Sequence, residues 1–195
     1  MNLKGKRIAI VTHNYYEQAE LEEPYRALIG AGAEVDIISA DSDNLNLIGM
    51  HHADRGEVHT ADEFIKNVDP SRYDALVLPG GVLNSDALRM VDMAKSWVED
   101  FMDGERPVAA ICHAPWLLIS AGVIENRRLT SYRTIQDDVT NAGGLWEDSS
   151  VVIDGSLITS RQPSDLPKFN KAIIDMLSQQ PSLKDQPKEK YHLVS

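Results

Sequence analysis

Cysteine is almost missing from this chain: one residue in 195, Cys112. No internal disulfide can form, so a reducing cytoplasm is the expected compartment. No secretory leader is expected either, because the stretch after Met1 gives only Ile8 to Val11 as an apolar run before polar residues return. An excess of positive charge is also absent. The net charge of -11 and pI near 4.9 argue against a nucleic-acid or anionic-membrane partner. The longest uncharged run, Pro107 to Ile124, is 18 residues but contains Pro, His, Ser and Gly, which makes it a poor membrane span. Internal repeats and low-complexity segments are lacking. His51, His52 and His59, with Asp54 and Glu57 among them, match no recognised zinc spacing. They read as solvated hairpin positions, and no metal or other cofactor is expected.

What is present is an ordinary globular composition, 43% hydrophobic and 25% charged. Residues 1–178 are expected to form a single domain, and the polar stretch 179–195, with Pro181 and Pro187, a tail outside the core. Arg7 to Thr12, Ala33 to Ser39, Tyr73 to Leu78 and Val108 to Ile111 are apolar without strict alternation, the pattern of strands covered on both faces. Between them lie Leu21, Tyr25 and Leu28 at helical spacing, and Met90, Ala94, Trp97 and Phe101 along an amphipathic helix expected over Leu88 to Met102. A hairpin with its turn at Asp54 to Gly56, a short helix over Asp62 to Val68, a strand over Arg128 to Tyr132 and a helix over Ile135 to Ala142 follow from local pattern. So do a hairpin over Val151 to Ser160 and a last helix from Ser164 burying Leu166, Phe169, Ile173 and Met176. Alternating strands and helices predict an α/β fold, a doubly wound sandwich with a mainly parallel central sheet.

In such a sheet ligands bind beyond the carboxyl ends of the strands. Glu17 follows the first strand, Gly80-Gly81 directly follow Tyr73 to Leu78, and Cys112-His113 directly follow Val108 to Ile111. The topology therefore brings them to one edge. A cysteine on a strand-to-helix turn suits a nucleophile, since the helix N-terminus favours the thiolate and lowers its pKa. A lone cysteine in an apolar run also reads as a small buried hydrophobe, and the shared sheet edge favours the catalytic reading. His113 is the nearest imidazole to deprotonate it, with its backbone N–H as an oxyanion donor beside those of Gly80 and Gly81. Asp86 is available to orient the imidazole, or to cap the following helix. Glu17, if buried beside the sulfur, could share a proton with it.

The stretches DALVLPGG, VAAICHAPWLLISAGVI, RRLTSYRTIQDDVTNAGG and VVIDGSLITSRQPSDLPKF resemble the bacterial PfpI-like branch of the ThiJ/PfpI superfamily. The resemblance runs from about Arg7 to Leu177. It implies a flavodoxin-like sandwich, a strained nucleophile elbow at Cys112, an acid at Glu17, and a homo-oligomer, dimer or higher. It further implies an acid near the Gly-Gly loop, in some members from a neighbouring subunit, with Asp86 as its counterpart here. Two departures are visible: Ala114 where members often have Gly after Cys-His, and a Val82 to Asp86 loop one residue longer.

The function these features imply is a stress-protective cysteine enzyme acting on a small carbonyl substrate or glycated groups, as a glyoxalase or deglycase does. A PfpI-like intracellular cysteine peptidase acting on peptides is the alternative. A non-enzymatic redox sensor or chaperone, with Cys112 oxidised beside Glu17, is a second. A glutamine amidotransferase is excluded because its late His-x-Glu is missing; His192 is followed by Leu193-Val194-Ser195.

Overall fold

A computed structural model of the chain describes residues 2–181. The tail expected beyond the last helix lies, from residue 182 onward, outside the described residues. The apolar runs become the spine of the molecule. Strand β1 (Arg7–Thr12) leads through the two-residue β2 (Tyr16–Glu17) into helix α1 (Gln18–Gly30), and β3 (Glu34–Ser39) returns parallel to β1. Pro24 lies inside α1 rather than in its first turn.

A hairpin of β4 (Asn46–His51) and β5 (Asp54–Thr60) follows, then the short β6 (Glu63–Phe64). The hairpin turns at His52-Ala53, two residues earlier than the local pattern suggests. His52 takes a left-handed φ of 57°, and a bulge between Ile48 and Met50 shifts the pairing register. Where a short helix was expected over Asp62 to Val68 there is instead β6 and one 3₁₀ turn, Ile65–Asn67.

Next comes β7 (Ala75–Leu78), buried at every position. The amphipathic stretch beyond it forms two helices, α2 (Val82–Leu88) and α3 (Asp92–Asp103), separated at Arg89 to Val91. Ala94, Trp97, Val98 and Phe101 are buried as the spacing predicts, whereas Met90 falls in the break and is 79% exposed. Strand β8 (Val108–Ile111) and helix α4 (Pro115–Ser120) flank Cys112. Beyond them are β9 (Arg128–Leu129), shorter than expected, α5 (Gln136–Asn141) and β10 (Leu145–Trp146). The chain finishes with the hairpin β11 (Val151–Asp154) and β12 (Leu157–Ser160), and α6 (Leu166–Gln179).

The main sheet has seven strands in the order β11-β12-β8-β7-β1-β3-β6, parallel throughout except for β11 against β12. It is the mainly parallel α/β sandwich the sequence predicts. Two apolar cores cover its faces, one from α3 and α4 around Trp97, Phe101 and Leu117, the other from α1 and α6 around Leu21, Leu28 and Phe169. Among the described residues no helix is long and apolar enough to cross a membrane.

Met90 and Phe101 share one helical pattern in the sequence but not one environment in the fold. Truncating the fully buried Phe101 to Ala should cost about 3–5 kcal/mol of unfolding free energy. Met90→Ala should stay within about 0.5 kcal/mol; urea denaturation of both variants checks the contrast.

Candidate active site

The site is built where β7 and β8 end side by side. Cys112, the residue after β8, has φ 64°, a left-handed conformation that costs a non-glycine residue about 1–2 kcal/mol. Three backbone bonds hold it there: its N–H donates to Ser160 at 3.0 Å, its carbonyl accepts from Tyr132 at 2.7 Å, and Ala114 N–H reaches back to Ile111 at 3.0 Å. The conformation makes a sharp elbow that puts the sulfur into a cleft of about 430 Å³. Glu17, Glu20, His52, His113 and Tyr132 are among the residues lining that cleft.

The glycine pair after β7 is required by space. A Cβ on Gly80 would lie 2.5 Å from Glu20 Oε2 and 2.7 Å from Cys112 Cβ. Gly81 has φ 89°, and a Cβ there would meet the backbone N of Glu17 at 2.7 Å. The loop can therefore press the start of α1 against the sulfur. Both reasons for the pair, close approach and positive φ, operate together.

The acid beside the sulfur is Glu20, not Glu17. Helix α1 begins at Gln18, which turns Glu20 inward in its first turn, and its side chain is fully buried. Glu20 Oε2 accepts the Gly80 N–H at 2.8 Å, and the carboxyl lies close enough to the Cys112 thiol to raise its pKa. Burial pushes its pKa up to about 8, against the lowering effect of the Gly80 bond. Glu17, one helical turn earlier, points across the cleft instead; its Oε2 accepts the His52 N–H at 3.0 Å.

Two further assignments change. The Gly80 N–H is occupied by Glu20, which leaves the backbone N–H groups of Gly81 and His113 as the pair that donates to Sγ. The thiol pKa is raised, not lowered as a helix N-terminus alone would suggest. Burial is the larger cause and the neighbouring Glu20 charge the next, and the two N–H donors only partly offset them. A proton on Glu20 removes the second of those causes, so carboxyl and thiol titrate as a pair.

His113 Nδ1 lies 3.2 Å from Cys112 Sγ. Among the described residues its Nε2 meets no carboxylate; it is 3.2 Å from Thr134 Oγ1. The ring stacks on Tyr132 with centroids 4.9 Å apart, and burial lowers its pKa. Asp86 is exposed in the middle of α2 and neither lines the cleft nor caps a helix, since Gly81 holds the N-cap position. The longer loop counted from sequence is the first turn of α2, and its winding carries Asp86 to the surface. Ala114 is helical (φ -54°) and fully buried, so the missing glycine there imposes no strain.

Glu20, Thr134 and Tyr132 have roles the sequence reading missed. The sequence showed acids at both positions, three residues apart at a helix start, without a local signal to choose between them. Away from the sulfur, Glu22, Glu57 and His59 bring ligand-type atoms within 4.8 Å of one another. His59 there is already bonded, by Tyr16 Oη at 2.7 Å and by Glu22 at 3.0 Å.

Unfolded, the Glu20 carboxyl titrates near 4.5, and folded near about 8. Between these values the native state keeps a proton that the unfolded chain has released. This contribution to stability is therefore full below pH 4.5 and falls as pH rises, by up to about 1.4 kcal/mol per pH unit. Glu20→Gln should flatten that part of the pH dependence, as read from urea midpoints between about pH 5 and pH 8.

The DJ-1/PfpI family model matches residues 6–176. The chain is 38% identical over 171 residues to the protein named deglycase PH1704 of Pyrococcus horikoshii, covering 88% of this chain and 99% of that one. It is 35% identical over 173 residues to YraA of Bacillus subtilis, named for a cysteine protease activity, covering 89% and 99%. Among solved structures, a two-domain Anabaena variabilis protein with DJ-1/ThiJ/PfpI-like and ferritin-like domains superposes with a TM-score of 0.83 at 32% identity. That match spans 94% of this chain and 52% of the longer one. With its cysteine elbow, glycine pair and buried acid at one sheet edge, this chain belongs to the DJ-1/PfpI family.

Proposed function

We propose that this chain is a stress-protective cysteine enzyme that acts on reactive carbonyls or glycated groups. The observation that carries the reading is the buried Glu20 carboxyl against Cys112 Sγ. A carboxyl with a pKa near 8 is protonated at neutral pH and can give up its proton as charge develops next to it. When the sulfur attacks an aldehyde carbon, the C–S bond forms and the C=O π pair moves onto oxygen. The thiol proton passes from Sγ to His113 Nδ1, 3.2 Å away, as the bond forms, the oxygen takes its proton from Glu20, and the product is a hemithioacetal. Gly81 and His113 N–H groups lie close enough to the sulfur to stabilise the charge during the step. The relative PH1704, named a deglycase, supports the same class of substrate.

A peptidase is the second reading, favoured by the 3.2 Å Cys112–His113 contact and by the name of YraA. Against it, the imidazole has Thr134 where a peptidase triad would use an orienting carboxylate or amide. The homo-oligomer and the cytoplasmic setting belong to this proposal as well. A monomer mass in sedimentation equilibrium would remove the first of these.

Incubation with methylglyoxal should consume the aldehyde, and Cys112→Ala should reduce the rate by at least about a thousandfold. Cys112-dependent cleavage of a denatured protein, without aldehyde loss, would support the peptidase instead. Stoichiometric oxidation by mild peroxide with no turnover of either would leave the sensor reading.

A further inference from the structure

The hairpin β4–β5 closes on the start of α1 around one side chain, Gln18. Its Oε1 accepts the Glu57 N–H at 2.8 Å, and its Nε2 donates to Glu22 Oε1 at 2.8 Å. Two hairpin glycines make the approach possible: a Cβ on Gly56 would lie 2.2 Å from Gln18 Oε1, and one on Gly49 3.0 Å from it. This brings β5 alongside Glu22, which stands one helical turn after Gln18. Glu57 and His59, two residues apart on β5, share a face of that strand.

The result is one imidazole and two carboxylates whose ligand-type atoms lie within 4.8 Å of one another. His59 Nε2 is 3.0 Å from Glu22 Oε1. Donors held by a zinc-like ion at about 2.0–2.2 Å stand about 3–3.5 Å apart, so this pair already has nearly the separation the ion needs. Glu57 is exposed, and rotation of its side chain closes the remaining distance. The other ring nitrogen is held as well: His59 Nδ1 is 2.7 Å from Oη of the fully buried Tyr16. A metal-binding imidazole is oriented in this way, by a fixed partner on the nitrogen that does not bind. Arg26 meets Glu22 through Oε2, which leaves Oε1 facing the imidazole.

We infer that Glu22, Glu57 and His59 form a divalent-cation site for zinc or a similar first-row ion, which fastens the hairpin to α1. The ion takes the Nε2 lone pair, the proton shared between Nε2 and Glu22 leaves to solvent, and Nδ1–H donates to Tyr16. Water fills the remaining coordination positions. An imidazole with two carboxylates favours such ions over Mg²⁺ and Ca²⁺, which prefer oxygen donors alone. No spacing within the hairpin reveals the set, because Glu22 comes from another element. None of the three residues lines the cleft over Cys112, so the site stands whatever reaction the cysteine performs.

Equilibrium dialysis of the full chain against Zn²⁺ should give one ion per chain, with Mg²⁺ at the same concentration far weaker. Cys112→Ala and His192→Ala, which remove other zinc donors, should retain it. His59→Ala and Glu22→Gln should weaken binding by at least about a hundredfold, and Tyr16→Phe by about tenfold. Binding unaltered in His59→Ala overturns the assignment, as does binding lost in Cys112→Ala or in His192→Ala. So does the lack of saturable binding up to about 1 mM free ion.

A second measurement needs no variant to fold. In the wild type, saturating Zn²⁺ should slow amide hydrogen exchange in β5 and in the first turns of α1, and leave β11 unchanged. Exchange in β5 that is the same with and without the ion overturns the site.

Discussion

A carboxyl group and a sulfur atom occupy one buried corner of this protein, and the backbone of Gly80 passes between them and the end of β7 with no space for a side chain. Most of the site follows from that contact. Glu20 can stand beside Cys112 only because α1 starts at Gln18 and presents its first turn inward. Cys112 can face Glu20 only because its backbone takes the left-handed conformation, held by β12 through Ser160 and by Tyr132. The strain at the cysteine is thus sustained by neighbours drawn from four separate stretches of chain, and the group it presents is a thiol whose proton is linked to that of a buried acid.

The other wall of the cleft depends on the hairpin β4–β5. The left-handed turn at His52 aims its N–H at Glu17, and Gln18 Oε1 accepts the Glu57 N–H at 2.8 Å, so the hairpin is fastened to the same helix start that carries Glu20. Tyr16, fully buried, adds a bond to His59. Four consecutive residues, Tyr16 to Ala19 with Ala19 half-buried between the polar contacts, therefore join the sheet, the hairpin and the cleft. Of the hairpin histidines, His59 anchors to Tyr16 and Glu22, and His52 lines the cleft rim.

The apolar runs of the parallel strands were legible in the sequence, because a strand buried on both faces leaves no polar alternation to misread. The edge that gathers Glu17, Gly80-Gly81 and Cys112-His113 was legible for a related reason: strand direction alone decides which ends point the same way. Met90 shows where periodicity stops being informative. It continues the spacing of Trp97 and Phe101, yet the chain breaks at Arg89 to Val91, and one break of a helix resets which side chains face inward. Asp86 was displaced by the same event, since α2 begins earlier than the pattern showed.

The choice between Glu17 and Glu20 was beyond the sequence. Both are acids at a helix start, three residues apart, and either could be the one against the sulfur. Rotational phase of α1 against the sheet separates them, and that phase is set by packing of Leu21 and Leu28 into the core under Phe169, not by any local preference. The amino-acid sequence by itself determined the parallel α/β sandwich, the edge on which the site lies and the thiol at its centre, because these depend on burial pattern and chain direction. Only the tertiary structure decided which acid stands beside the sulfur, which N–H groups remain to donate and where the imidazole finds its partner, because each is a matter of ångström-scale contact between segments distant in sequence.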